Sequence, residues 1–191
     1  MKAMEEKIIR EGQVLSADIL KVGHFLNQQL DVDFLMEMGE EVARLYQGEK
    51  ITKILTIEAS GIAIATACAA HLHVPVVFVK KSKASTQTGE FLSASVRSFT
   101  HNNTYDAILP AEYLSPADRL LLVDDFLAHG EALNGMMEIA RQAGSTVVGC
   151  AIAVEKKYQG GGDNLRNKGI RVESMAKIQS MDPEKGIVFC D

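Results

Sequence analysis

The chain has 191 residues, no Trp, and 25 Asp and Glu against 20 Lys and Arg, a formal charge of −5. At 47% hydrophobic and 24% charged it is not a disordered chain, and its length suits one domain over 1–191 whose core needs no disulfide or metal staple. The acidic balance excludes the broad basic face that sequence-independent nucleic-acid binding requires, although a small anionic ligand needs only a local positive site.

Residues 2–10 predict a short helix with Met4, Ile8 and Ile9 on one side. The following stretch to Phe34 has brief alternations, such as Ile19, Val22 and Phe25, and no long period. Asp31 or Asp33 can cap the next helix. Phe34, Leu35, Met38, Val42 and Leu45 keep helical spacing to about Gln47, where Gly48 stops it. From Ile51 to Ile57 the chain is β-branched and almost continuously apolar. An alanine-rich helix over about Ile62–His71 and a strand over Val74–Val79 follow. Strand, turn, helix, strand is the pattern of a parallel sheet buried on both faces.

Residues 80–90 hold three lysines and several Ser and Thr, the composition of an exposed loop. Ala94–Phe99 and Tyr105–Leu109 predict a hairpin turning at His101, Asn102 and Asn103. Arg119–Asp125 predicts a second central strand, Glu131–Ala143 a helix stopped by Gly144, and Thr146–Val154 a third strand ending in Glu-Lys-Lys-Tyr. A short helix at Asn164–Asn167 and a last strand at Ile170–Ile178 complete an open α/β domain. Residues 1–50 read as an N-terminal addition and 51–191 as the core.

Cys68, Cys150 and Cys190 are widely spaced and odd in number, which points to reduced thiols rather than a disulfide or zinc framework. The charged N-terminus lacks the apolar run of a secretory signal. No segment approaches the ~20 apolar residues of a membrane span. A cytoplasmic protein without membrane or nucleic-acid partners is the expectation.

The informative stretch is Leu120–Leu133, LLLVDDFLAHGEAL. An apolar strand ends in Asp124 and Asp125, and a helix starts just after Gly130. Ligands of open α/β sheets bind beyond the carboxyl ends of the strands. Consecutive N–H groups of Ala128, His129, Gly130, Glu131 and Ala132 at a helix start suit a phosphate. The carboxylates suit sugar hydroxyls or a cation. Together they describe a ribose 5-phosphate site.

This stretch resembles the phosphoribosyl-diphosphate motif of type I phosphoribosyltransferases: four apolar residues, two acids, two apolar residues, Ala or Ser, Thr, Gly, any residue, Thr or Ser. The sequence departs from it at His129, where Thr is usual, and at Ala132, where Thr or Ser is usual. Two hydroxyl donors are thereby absent, so backbone amides and His129 supply more of the phosphate grip. The resemblance implies a mainly parallel sheet flanked by helices, with residues 1–50 as a small hood. It implies a diphosphate-binding turn at Glu58, Ala59, Ser60 and Gly61, and a flexible lid over about 80–92 whose Lys80, Lys81 and Lys83 meet the diphosphate.

The N-terminal LSADILKVGHFLNQQLD, EASG, DDFLAHGEA and VEKKYQ are most similar to the xanthine-using bacterial branch of that family. That likeness assigns purine contacts to Leu20, Asn27 and Lys156. A Lys156 ammonium can donate to a 6-oxopurine oxygen, where adenine presents a donor. The implied reaction moves the 5-phosphoribosyl group of phosphoribosyl diphosphate to xanthine. Asp124 and Asp125 are its catalytic residues, Mg²⁺ is held mainly by the diphosphate donor with no protein ligand, and the assembly is a homodimer. Guanine or hypoxanthine is the alternative base. A non-enzymatic regulator on the same fold is the alternative class. A dinucleotide-binding oxidoreductase is disfavoured, because no G-x-G-x-x-G follows a strand.

Overall fold

The computed structural model describes residues 1–82, 89–98 and 103–190. The first part of the chain forms α1 (Lys2–Glu11), the two-residue strands β1 (Gln13–Val14) and β2 (Leu20–Lys21), a π-helical turn over Gly23–Asn27, and α2 (Val32–Leu45). Next come β3 (Lys53–Ile57), α3 (Ser60–Leu72), β4 (Val76–Val79) and a hairpin of β5 (Phe91–Ser98) and β6 (Asn103–Pro110). The remainder is β7 (Arg119–Leu127), α4 (Glu131–Gln142), β8 (Thr146–Lys156), a 3-10 turn at Lys157–Gln159, α5 (Gly161–Asn167), β9 (Val172–Asp182) and β10 (Gly186–Phe189).

Six strands make the central sheet, in the order β10-β9-β8-β7-β3-β4. Every pairing is parallel except the terminal β9–β10 pair. Continuous apolar sequence explains the buried middle. In β7, Leu121 and Val123 join the core on one face, while Leu120 and Leu122 join the core on the other. The first face is covered by α3, α2 and the N-terminal segment through Ile64, Cys68, Met38, Phe25 and Leu26. The second is covered by α4 and the β5–β6 hairpin through Leu133, Met136, Ile139, Val96 and Leu109. Each fully buried apolar side chain of this size contributes roughly 1.5–3 kcal/mol.

From β3 the chain steps outward to β4, and from β7 it steps the other way to β8 and β9. The reversal of direction therefore lies between β3 and β7, where open α/β sheets place their ligand crevice. Glu58 follows β3, Lys81 follows β4, Asp124 and Asp125 lie near the end of β7, and Lys156 ends β8. The chemistry-bearing residues thus share one edge of the sheet.

The central strands and their helices match the sequence expectations closely. β7 and β8 each run two residues past their expected ends. Lys156 is consequently the last residue of a strand rather than a residue beyond it. β10 was not expected; Asp182 accepts from the backbone of Glu184 and Lys185 and turns the chain back. The expected turn residues His101 and Asn102, and Lys83 of the expected lid, lie outside the described residues. Cys68 and Cys150 are buried free thiols, both pushed up to about 12 by burial, and Cys190 is half-buried.

Asp31, of the two candidate caps, starts α2 by accepting from the Phe34 N–H at 3.1 Å. Gly39 lets α2 lie directly on α3, since a Cβ there would stand 2.5 Å from the Ala67 carbonyl oxygen. Alanine gains about 1 kcal/mol over glycine in a helix interior. Backbone overlap of this kind costs about 1–3 kcal/mol, so the clash should win. Gly39→Ala is expected to lower the urea midpoint; an unchanged or higher midpoint would show that the two helices part without cost.

Candidate active site

A cleft of about 400 Å³ opens at the carboxyl edge of the sheet. Its walls include Asp124, Asp125, the whole loop Ala128–Ala132, Leu20, Asn27, Lys81 and Lys156. Eleven of the expected site residues thus come together from four separated parts of the chain. Glu58, Ser60 and Gly61 stand beside the cleft rather than lining it. The Glu58 carboxylate accepts the backbone N–H of Lys81 at 2.7 Å. A Cβ at Gly61 would collide with the Thr56 hydroxyl and stand 3.3 Å from Asp124 Oδ1.

The two acids sit in different surroundings. Asp124 is 5% exposed. Burial pushes its carboxyl well above the usual carboxylate range, and the Asp125 charge pushes the same way. The Asp125 N–H, donating to Asp124 Oδ1 at 3.0 Å, and the charge of Lys81 oppose that shift. Asp125 accepts the Phe126 N–H at 2.9 Å and the Asn27 side-chain amide at 3.1 Å. Among the described residues no ion pair reaches either carboxylate. A magnesium ion carried mainly by a polyphosphate ligand would meet carboxyl oxygens here.

The loop after β7 owes its shape to Gly130, whose φ of 89° lies in the left-handed region that glycine enters without steric cost. Helix α4 starts at the next residue, so N–H groups gather at its positive end. The loop is tied to α5 by the Gly161 N–H, which donates to the Ala128 carbonyl at 3.0 Å. His129 is fixed by Nδ1, 3.2 Å from the Gln159 carbonyl oxygen.

Lys156 donates to the Asp18 carbonyl at 2.5 Å and lies over the Phe126 ring, 5.3 Å from its centre. Burial holds its ammonium below the usual lysine range, while Asp18 and Asp125 pull it back up. The preceding residue, Glu155, is wholly buried on the opposite face. Both its oxygens accept from Arg166 at 2.7 Å, and Ser174 also donates to it. That pairing holds the Glu155 carboxyl below its ordinary range against burial and anchors the end of β8.

Asn27 Oδ1 is buried with no partner among the described residues. Its side-chain amide donates to Asp125. The sequence reading also missed Asp18, Ile19, Tyr105, Arg97 and Phe126, which line the cleft as well. Ile19 is 51% exposed; an apolar residue left at a polar cleft was the signal available for it. Nothing local marks Asp18, which acts through its main chain on a residue 138 positions away.

The family described as the phosphoribosyl transferase domain matches residues 28–174. A xanthine phosphoribosyltransferase of Moorella thermoacetica is 49% identical over 181 residues, 95% of this chain and 92% of that protein. One of Brevibacillus brevis is 48% identical over 191 residues, 100% of this chain and 97% of that protein. Among solved structures, the adenine phosphoribosyltransferase of Rhodothermus marinus superposes with a TM-score of 0.72 at 21% identity, covering 93% of this chain and 99% of that one. That of Saccharomyces cerevisiae gives 0.73 at 17% identity, covering 92% and 99%. The chain belongs to the phosphoribosyl transferase family, and the fold is that of its type I members. Among the described residues no helix is long and apolar enough to cross a membrane.

The buried acid makes a stability prediction. With its folded pKa raised, Asp124 contributes stability while protonated, and that contribution is lost as pH rises through the folded value. Asp124→Asn stays neutral. Its Tm should therefore exceed that of the wild type by a margin that opens above about pH 4. A margin independent of pH would show that Asp124 is not held neutral by its burial.

Proposed function

We propose that the protein transfers the 5-phosphoribosyl group of 5-phospho-α-D-ribose 1-diphosphate to a ring nitrogen of xanthine, releasing xanthosine 5′-monophosphate and diphosphate. The observation that carries this reading is the end of β7. There Asp124 and Asp125 run directly into the amide loop Ala128–Ala132, in one cleft with Lys156. The two relatives above, which bear the name of this activity at 48% and 49% identity over nearly the whole chain, support the choice of base.

In this reading the loop amides bind the 5-phosphate. Asp125 accepts from the ribose hydroxyls, and Asn27 holds its carboxylate in place. The bond from C1′ to the diphosphate oxygen breaks, its electron pair leaves with the diphosphate, and a purine nitrogen bonds to C1′ as it loses its proton. Positive charge grows on the ribose ring in that transition state. Preformed carboxylates beside it lower the barrier without reorganising. Lys81, at the start of the expected lid, reaches the diphosphate end of the cleft. A magnesium ion carried mainly by the diphosphate would neutralise leaving-group charge when bound, with Asp124 and Asp125 as the carboxyl groups at hand.

The base end is formed by Leu20, Ile19 and Phe126, with Lys156 donating to the 6-oxo group. The orphaned Asn27 Oδ1 suits a ring N–H, since a buried acceptor without a partner is costly. The homodimer implied by the family resemblance belongs to the same reading, and sedimentation velocity measures it.

Diphosphate release from purified protein, donor and each of four purines tests the proposal; no release with any purine would sink it. Lys156→Ala should raise the xanthine KM by about tenfold or more and leave the donor KM within about twofold. A xanthine KM unmoved by the substitution would remove Lys156 from the base site.

A further inference from the structure

We infer that Gly161, which does not line the cleft, is a positioning residue for the 5-phosphate: it lets the start of α5 lie directly against the loop Ala128–Ala132 and hold the loop amides in place. This rests on the phosphoribosyl-transfer reading above and adds to it a residue that acts from behind the loop.

Three glycines run from 160 to 162, and each stands in a different situation. Gly160 has a φ of 78°, in the left-handed region, and a Cβ there would meet nothing within 4 Å. Gly161 and Gly162 are the first residues of α5 and are not left-handed. Glycine is a poor helix former, so backbone conformation accounts for neither of them. Close approach does. A Cβ on Gly161 would collide with the Ala128 carbonyl oxygen. It would also stand 2.6 Å from the His129 carbonyl carbon and 2.7 Å from the Gly130 nitrogen. All three atoms are backbone of the loop. A Cβ on Gly162 would instead collide with Glu155 Oε1 and stand 2.7 Å from Arg166 Nη1.

The same contact carries a hydrogen bond, from the Gly161 N–H to the Ala128 carbonyl at 3.0 Å. Helix α5 has little freedom to retreat. Its Leu165 is buried in the core, and Arg166 bonds both oxygens of the buried Glu155 and the Val172 carbonyl. On the other side of the contact His129 is exposed. Added bulk at Gly161 therefore moves the loop rather than the helix. Ordinary contact begins near 3.4 Å, so the His129–Gly130 peptide has to shift by most of an ångström. The Gly130 N–H, one of the phosphate donors in the reading above, shifts with it. Hydrogen bonds weaken steeply with misalignment, and a misplacement of about 1 Å can cost about a hundredfold.

The test compares the full chain with Gly161→Ala and Gly160→Ala. The second variant strains the same turn but places its Cβ in open space. Calorimetry with ribose 5-phosphate should show Gly161→Ala binding about tenfold or more weakly than the wild type. Gly160→Ala should lower Tm and bind within about twofold of the wild type. The donor KM should follow the same order, and the xanthine KM at saturating donor should stay within about twofold in both variants. Unchanged binding by Gly161→Ala, or equal weakening by Gly160→Ala, overturns the inference. Hydrogen exchange of the wild type decides without any variant having to fold. Ribose 5-phosphate should slow exchange of the Gly161 N–H several-fold, and xanthine alone should not. An exchange rate indifferent to ribose 5-phosphate overturns the inference. A wild type that binds ribose 5-phosphate while Gly161→Ala binds it equally well sinks the positioning role alone. A wild type that does not bind it sinks the phosphate reading of the loop and this inference together.

Discussion

Two adjacent carboxylates at the end of a strand buried on both faces set the constraint that organises this protein. The parallel sheet requires apolar side chains on both sides of β7 as far as Val123. The strand then delivers Asp124 and Asp125 into a space with few partners. A buried ionised group is costly unless it is paired or hydrogen-bonded. The chain meets the cost unevenly: Asp124 is held toward its neutral form, while Asp125 is hydrogen-bonded to Phe126 and Asn27. Positive charge arriving in the cleft, on a ligand ring or an ion, improves the energy of both.

The end of β8 meets the same constraint differently. Successive strand residues point to opposite faces, so Glu155 goes into the core and Lys156 into the cleft. Glu155 is paired with Arg166 through two hydrogen bonds and takes a third from Ser174. Replacing a buried ion pair by apolar residues is often neutral or stabilising, so the pair is weak evidence of added stability. Its geometric effect is clearer. The pair fastens α5 to β8 and β9, and α5 in turn holds the loop Ala128–Ala132 through Gly161. One buried network thus ties the loop Ala128–Ala132 to the strand end that carries Lys156.

Legibility in the sequence followed the range of each interaction. β7 and α4 could be read because buried strands are apolar and helices are periodic, both local properties. The loop Ala128–Ala132 was legible because a strand, two acids, a glycine and a helix start are consecutive in the chain. β10 was not, since Ile187, Val188 and Phe189 form too short a run to mark a strand until Asp182 turns it against β9. The unequal surroundings of Asp124 and Asp125 were hidden, because they come from Asn27, Gly61 and Lys81, which are remote in sequence. Asp18 was hidden more deeply: any residue carries the carbonyl it contributes.

The N-terminal segment closes over the cleft with polar contacts of one kind. Lys156 and Tyr158 donate to the main-chain carbonyls of Asp18 and Ala17, and Gln159 donates to the Asp18 side chain. A base that takes the Lys156 ammonium through its 6-oxo group exchanges one carbonyl acceptor for another. Such an exchange is nearly neutral, because the donor is never left unpaired. A ligand presenting a donor at that position instead breaks the Asp18 contact and leaves a half-buried ammonium facing an N–H. In the proposed reading the carbonyl of Asp18 would act as a stand-in for the oxo group, and discrimination against amino-purines would follow from how well the cleft already satisfies its lysine.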